Sequence, residues 1–288
     1  MRNVLVTGAG GQLGSELQLL SKEYEGNFYF TDKENLDIVQ KEAVKRFLQE
    51  HKITHIINAA AYTAVDKAEE EEALADAINH KAVGYLAEAA KNENISLVHI
   101  STDYVFDGKN YKPYTEDDIT NPQSAYGRTK RKGEEAMLAV NPQCSVIIRT
   151  SWVYSSFGNN FVKTMLRLGK EREKLGVIFD QVGTPTYARD LAQTILDILP
   201  KIKNDNVEIY HFSNEGVLSW YDFAKEIMRM AKIECRVDPI ETKEYPTPAP
   251  RPHYSLLNKA KIKQTFQLEI PYWKEGLDAC LRVLGERK

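Results

Sequence analysis

No run in this chain approaches the roughly 18 consecutive apolar residues that a membrane-spanning helix needs, so a membrane partner is not expected. Cysteine is scarce: Cys144, Cys235 and Cys280 are odd in number and far apart, and no Cys-x-x-Cys pair occurs. Neither a disulfide framework nor a zinc site follows from such spacing, and the thiols read as reduced and structural. A cationic excess is lacking too. The 38 lysines and arginines face 41 aspartates and glutamates, a formal charge of -3, which provides no overall field for nucleic acid. There is no internal repeat, no low-complexity tract and no apolar signal segment ahead of Val4. The expected compartment is therefore cytoplasmic and the expected partners are small molecules.

What is present is a regular alternation. Hydrophobic residues make up 42% of the 288, enough for one large α/β domain or a core domain with a smaller lobe. Apolar runs fall at 3–7, 28–32, 54–60, 96–101 and 144–152, separated by helical patterns at 13–22, 41–51, 73–91 and 124–140. Val4-Leu5-Val6 and Val146-Ile147-Ile148 are apolar throughout, as strands covered on both faces are. The expected fold is α/β, a doubly wound parallel sheet of Rossmann type, with ligands beyond the carboxyl ends of its strands. The second half is less regular: helix 160–170, strand 176–180, helix 189–199, strand 208–213 and helix 219–232 precede a proline-rich stretch at 245–252. We expect 1–150 plus 177–213 to form a dinucleotide-binding domain. Segments 151–176 plus 214–288 should form a smaller mixed α/β substrate-binding lobe.

The first apolar run breaks into Gly8-Ala9-Gly10-Gly11-Gln12-Leu13-Gly14 and then a helical pattern. Glycines at 8, 11 and 14 allow in turn a tight turn, close approach of backbone to a pyrophosphate, and packing of the helix on the strand. The spacing differs from Gly-x-Gly-x-x-Gly, which would need glycine at Leu13. Asp32 closes the second strand, where a carboxylate can accept from ribose hydroxyls and so favours NADH. Lys33 follows and could meet a 2′-phosphate, which leaves NADPH open. Asn58-Ala59-Ala60-Ala61 ends the third strand in small residues that would let a cofactor lie close to the backbone.

Tyr-x-x-x-Lys occurs three times, at Tyr29/Lys33, Tyr126/Lys130 and Tyr221/Lys225. The first straddles a strand end, where four extended residues span about 13 Å and the side chains cannot pair. The third falls in an amphipathic packing stripe. Only Tyr126/Lys130 follows a strand ending in a hydroxyl residue, Thr102, and on a helix its members share a face. A nearby ammonium favours phenolate, so Lys130 is expected to lower the Tyr126 pKa from about 10 toward the working range.

Together, Thr-Gly-x-x-Gly-x-x-Gly, Ser101-Thr102 and Tyr126-x-x-x-Lys130 resemble the extended short-chain dehydrogenase/reductases. Longer strings resemble, more narrowly, the dTDP-4-dehydrorhamnose reductase family: Asn58 through Glu69, Ser101 through Gly108, Arg149 through Tyr154, Gly158 through Phe161 and Asp180 through Thr186. The likeness covers nearly the whole chain. It implies NAD(P)H-dependent reduction of the C4 ketone of dTDP-4-dehydro-L-rhamnose to dTDP-L-rhamnose. Tyr126 would protonate the developing alkoxide, Thr102 would hydrogen-bond the same oxygen, Lys130 would hold the nicotinamide ribose, and Asn79 matches the family position linked to the proton relay. The implied coenzyme contacts are Gly8, Gly11, Gln12, Leu13, Gly14, Asp32, Asp37, Ile38, Ala60, Ala61 and Thr63, with Tyr126 and Lys130. The implied contacts to the nucleotide sugar are Thr102, Asp103, Tyr104, Tyr126, Trp152, Asn160 and Arg251.

Two departures bear on the chemistry. Nucleotide-sugar dehydratases of the superfamily carry Thr-Asp-Glu after the strand, whereas Tyr104 follows Thr102-Asp103 here, so the glutamate base of a dehydration is absent. Some family members form dimers linked by a divalent ion through carboxylates of the first helix and of the helix after Pro185-Thr186. Glu16 is available, but Tyr187-Ala188-Arg189-Asp190 places an arginine in the second segment. No metal site is expected, Mg2+ is possible but not supported by the sequence, and monomer and homodimer both stay open. The alternatives are a nucleotide-sugar epimerase and a non-catalytic dinucleotide-binding regulatory subunit.

Overall fold

The computed structural model describes residues 2–287. Six parallel strands form the central sheet: β1 (Asn3–Thr7), β2 (Asn27–Thr31), β3 (His55–Asn58), β4 (Ser96–Thr102), β5 (Val146–Thr150) and β10 (Glu208–His211). Their order is β10-β5-β4-β3-β1-β2. The order reverses between β1 and β3, and this switch point is where a doubly wound sheet opens a crevice. Val4, Leu5, Val6, Ile56, Ile57, Val98, Ile147 and Ile148 are fully buried, as strands covered on both faces must be.

The helices between the strands cover both faces. On one lie α1 (Gln12–Leu20) and α7 (Ala188–Ile198), with Leu13, Leu17, Leu191 and Ile195 against Val4, Val6 and Ile148. On the other lie α2 (Lys41–Glu50), α4 (Ala82–Glu93) and α5 (Ala125–Val140), which bring Val44, Leu48, Leu86 and Met137 onto Leu5, Ile56 and Ile147. Each aliphatic side chain so buried contributes about 1.5–3 kcal/mol, and these two clusters anchor the sheet.

The helix expected over 73–91 is interrupted. It consists of α3 (Glu72–Asp76), a π turn over Ala77–Lys81 and then α4. The wide turn coincides with a close approach of α5: a Cβ at Gly133 would lie 2.1 Å from the Asn79 carbonyl oxygen. A single wide turn inside a helix recurs at functional sites.

A second body covers the carboxyl edge of the sheet. It contains β6 (Val153–Tyr154), α6 (Phe161–Glu171), β7 (Lys174–Ile178), β8 (Val182–Gly183), β9 (Thr186–Tyr187), β11 (Leu218–Ser219), α8 (Trp220–Ala231), β12 (Arg236–Ile240) and α10 (Trp273–Val283). Its core gathers Tyr154, Val162, Leu175, Val177, Phe223, Ile227, Trp273 and Leu277. Two expected boundaries need correction. The run near 176–180 does not enter the central sheet at 177; β7 pairs with β12 and puts Leu175 and Val177 in the lobe core, so the chain returns to the sheet only with α7. Conversely, α9 (Ala260–Phe266) lies within the span assigned to the lobe but packs Ile262 and Phe266 on the sheet beside Tyr210 of β10.

Candidate active site

A cavity of about 840 Å³ runs along the carboxyl ends of β1, β3, β4 and β5, between the sheet and the lobe. At one end is the glycine turn. Gly8 has φ +73, a conformation that favours glycine, and a Cβ there would lie 2.6 Å from the Ala60 backbone nitrogen across the switch point. A Cβ on Gly14 would lie 2.2 Å from the Gly8 carbonyl oxygen, so this residue packs behind the turn instead of lining the cavity. Gly11 is the N-cap of α1 with no side-chain cap, leaving first-turn N–H groups available to an anion. Asp32, Asp37 and Ile38 line the same end, with Ala60, Ala61 and Thr63 opposite. The Asp32 Oδ1 closes its own turn by accepting from the Glu34 and Asn35 amides at 3.1 and 3.3 Å. An uncapped helix start, glycine turn and alanine wall together fit a dinucleotide.

At the other end Thr102, Asp103, Tyr104, Tyr126, Lys130 and Trp152 meet in one space. Ser124 caps α5 by accepting from the Gly127 amide at 3.1 Å, which starts the helix at Ala125, one residue before Tyr126. The Tyr126 ring meets Tyr104 edge to face at 5.5 Å. Thr102 donates to Asp103 Oδ1 at 3.0 Å and accepts from the Tyr104 amide at 3.2 Å. Burial pushes the Asp103 carboxyl up to about 7, against the opposing hydrogen bond from Thr102.

The electrostatics differ from the expectation for Tyr126. Burial pushes its phenol up to about 12, partly offset by a hydrogen bond with Thr102, and Lys130 does not draw it down. The reason is where the lysine points: its Nζ donates to the Ile100 carbonyl at 2.6 Å. Burial lowers Lys130 itself to about 8.

Besides Gly14, three expected residues are not brought to the cavity wall. Asn79 is fully buried in the π turn, where it accepts from the Tyr62 amide at 2.9 Å and donates to the Tyr62 carbonyl and to Thr129. Asn160 caps α6 and donates to Gln12 Oε1 at 2.9 Å, tying lobe to glycine turn. Arg251 makes a two-point ion pair with Asp66 at 2.7 and 2.8 Å, so its charge is met by a carboxylate. Each is held instead by partners from another segment of the chain.

Sequence reading missed Trp220, which stacks on Trp152 with ring centroids 3.6 Å apart and also lines the cavity. The Ser219-x-x-Asp222 capping box marks the start of α8, yet nothing local brings that start to Trp152. Trp152 has φ +49, a strained backbone for a bulky residue, as found where a site fixes a side chain. Glu16 accepts from Ser155 at 2.6 Å, and no group of three or more His, Cys, Asp or Glu suited to a metal ion occurs among the described residues. No helix among them is long and apolar enough to cross a membrane.

A parallel sheet in this order, a glycine turn at its switch point, and Thr102, Tyr126 and Lys130 at adjoining strand ends define an extended short-chain dehydrogenase/reductase fold. Residues 1–285 match the family model described as RmlD substrate binding domain. A dTDP-4-dehydrorhamnose reductase of Aggregatibacter actinomycetemcomitans is 44% identical over 96% of this chain and 97% of its own. The crystal structure of such a reductase from Clostridium acetobutylicum is 45% identical, with TM-score 0.94 over 98% of this chain and 99% of that one. One from Bacillus anthracis, in complex with NADP, is 40% identical with TM-score 0.93 over 98% and 100%. The chain belongs to the dTDP-4-dehydrorhamnose reductase family.

Proposed function

We infer that this protein is an NAD(P)H-dependent oxidoreductase that reduces the C4 ketone of dTDP-4-dehydro-L-rhamnose to give dTDP-L-rhamnose. The observation that carries the reading is the single cavity lined by the glycine turn and by Thr102, Tyr126 and Lys130. Such a cofactor supplies a hydride when bound. The chain's own part is to orient the ketone and deliver a proton. Tyr126, held near Thr102, is the acid that protonates the developing alkoxide, and its high pKa keeps the phenol protonated and able to donate. Thr102 bonds the same oxygen, and the Trp152–Trp220 stack offers an aromatic face to the nucleotide sugar. The remaining roles stand as the family likeness implies them: coenzyme contacts along the turn and the 32–38 loop, and Asp103 and Tyr104 against the sugar. Asn160 and Arg251 enter only indirectly, through Gln12 and Asp66. The enzyme is cytoplasmic in this reading, monomeric or homodimeric.

Purified protein should oxidise NADPH or NADH only when the 4-keto nucleotide sugar is added. Tyr126→Phe should lose about 10²–10⁴-fold in kcat, the usual contribution of a positioned general acid. An epimerase would turn over its sugar with no net coenzyme loss, and a regulatory subunit would bind coenzyme without turnover; either result would displace the assignment.

A further inference from the structure

A row of buried polar side chains crosses three neighbouring strands of the central sheet. Thr7, Asn58 and His99 are register partners on β1, β3 and β4, and each is at most 1% exposed. Thr7 Oγ1 donates to Asn58 Oδ1 at 2.7 Å, the Asn58 amide nitrogen lies 3.0 Å from His99 Nδ1, and His99 Nε2 lies 3.4 Å from Lys130 Nζ. Aliphatic residues in these positions would bury apolar surface with no hydrogen bonds to satisfy. The row needs a reason other than stability.

The direction of its bonds fixes a tautomer. The Thr7 hydroxyl proton takes Asn58 Oδ1 as acceptor, so the amide presents its NH2 to the ring and Nδ1 accepts. A neutral imidazole that accepts at Nδ1 carries its proton on Nε2. The reverse amide orientation would leave the buried Thr7 proton without its acceptor, a costly arrangement. The ring is neutral, because burial holds it well below the usual imidazole range. An ammonium has three donors and no acceptor, so it meets the Nε2–H donor to donor. A free amine accepts that proton with its lone pair while still donating to the Ile100 carbonyl.

We propose that His99 is a positioning residue for Lys130: its Nε2–H, fixed by Asn58 and Thr7, favours the free amine over the ammonium and pins the nitrogen against the Ile100 carbonyl. The catalytic consequence rests on the reductase reading. Other neighbours are accounted for by element. Thr7 of β1, Asn58 of β3 and the Ile100 carbonyl of β4 are uncharged; on α5, Tyr126 lies one turn before Lys130 and Glu134 one turn after. Glu134 pulls the lysine toward its charged form, but its carboxylate is itself paired with Arg149 of β5 and with Arg131.

Two measurements test this. In ¹⁵N-histidine NMR of the purified protein, with the His99 signal identified by its loss in His99→Asn, the ring should be the neutral Nε2-protonated form across roughly pH 6–9. An Nδ1-protonated or titrating ring overturns the proposal. The second is the pH profile of NADPH affinity. His99→Asn keeps a group near Asn58 but loses the Nε2–H, and His99→Leu loses both. In each, Lys130 should hold its proton more tightly and the lysine-dependent limb should move alkaline by about one unit. An unmoved limb in a less stable variant makes His99 a packing residue and overturns the proposal; if neither variant folds, the NMR tautomer, assigned by exclusion of the other histidines, decides. Failure to turn over any nucleotide sugar would sink the reductase reading while leaving the tautomer and the binding limb to be read.

Discussion

Asp103 lies 3.0 Å from the Thr102 hydroxyl, and burial pushes its carboxyl from near 4 up to about 7. The sign of the consequence is definite. A folded-state value above the unfolded one means that the native chain binds the proton more tightly; that stabilisation is complete below pH ~4 and lost as the pH rises through ~7. Unfolding free energy should therefore fall between pH 5 and pH 8 by on the order of 2 kcal/mol, and Asp103→Asn, which keeps an acceptor for Thr102 without the charge, should flatten the curve. Urea melts at several pH values check it, and an equally steep variant would contradict it. The family likeness alone marked Asp103 as a sugar contact. Its burial is a tertiary property that no local pattern carries, and the same holds for Asn160 and Arg251, whose side chains find Gln12 and Asp66 far away in the chain.

The α5 helix carries Tyr126, Lys130 and Glu134 at successive four-residue steps, so one face runs from the cavity to the buried Arg149. Its distance from the π turn is set at Gly133, where an added Cβ would sit 2.1 Å from the Asn79 carbonyl. Backbone cannot yield as a flexible side chain can. Gly133→Ala should cost about 1–3 kcal/mol of stability, as overpacking does, and should also lower kcat by displacing Tyr126 and Lys130 together. Differential scanning calorimetry and steady-state kinetics would separate the two effects; an unchanged Tm would show that the helices separate freely. At this scale β1 through β5 were legible, since buried parallel strands read as continuous apolar runs between helical periods. The two-residue strands β6, β8, β9 and β11 are too short to show a period, and the π turn keeps the helical pattern that conceals it.

Sheet and lobe meet around the cavity through a few polar ties: Asp66 with Arg251, Glu16 with Ser155, and Gln12 with Asn160. The lobe's existence was legible from the loss of regular alternation after 150, but its extent was not. Placing β7 with β12 and α9 on the sheet depends on pairings between segments dozens of residues apart. Gln12 has the widest consequence of these ties. Its backbone belongs to the glycine turn, while its side chain accepts from Asn160 and donates to the Val153 carbonyl at 3.4 Å. Two ligands that lean on one residue do not bind independently: whatever factor a dinucleotide adds to the affinity for the sugar, the sugar must return to the dinucleotide. Gln12→Ala should bring that factor toward one, measured calorimetrically as the Kd of each ligand with and without the other. The glutamine thus makes the mutual affinity of the two ligands a property of the fold, carried by a side chain that joins the glycine turn to the lobe.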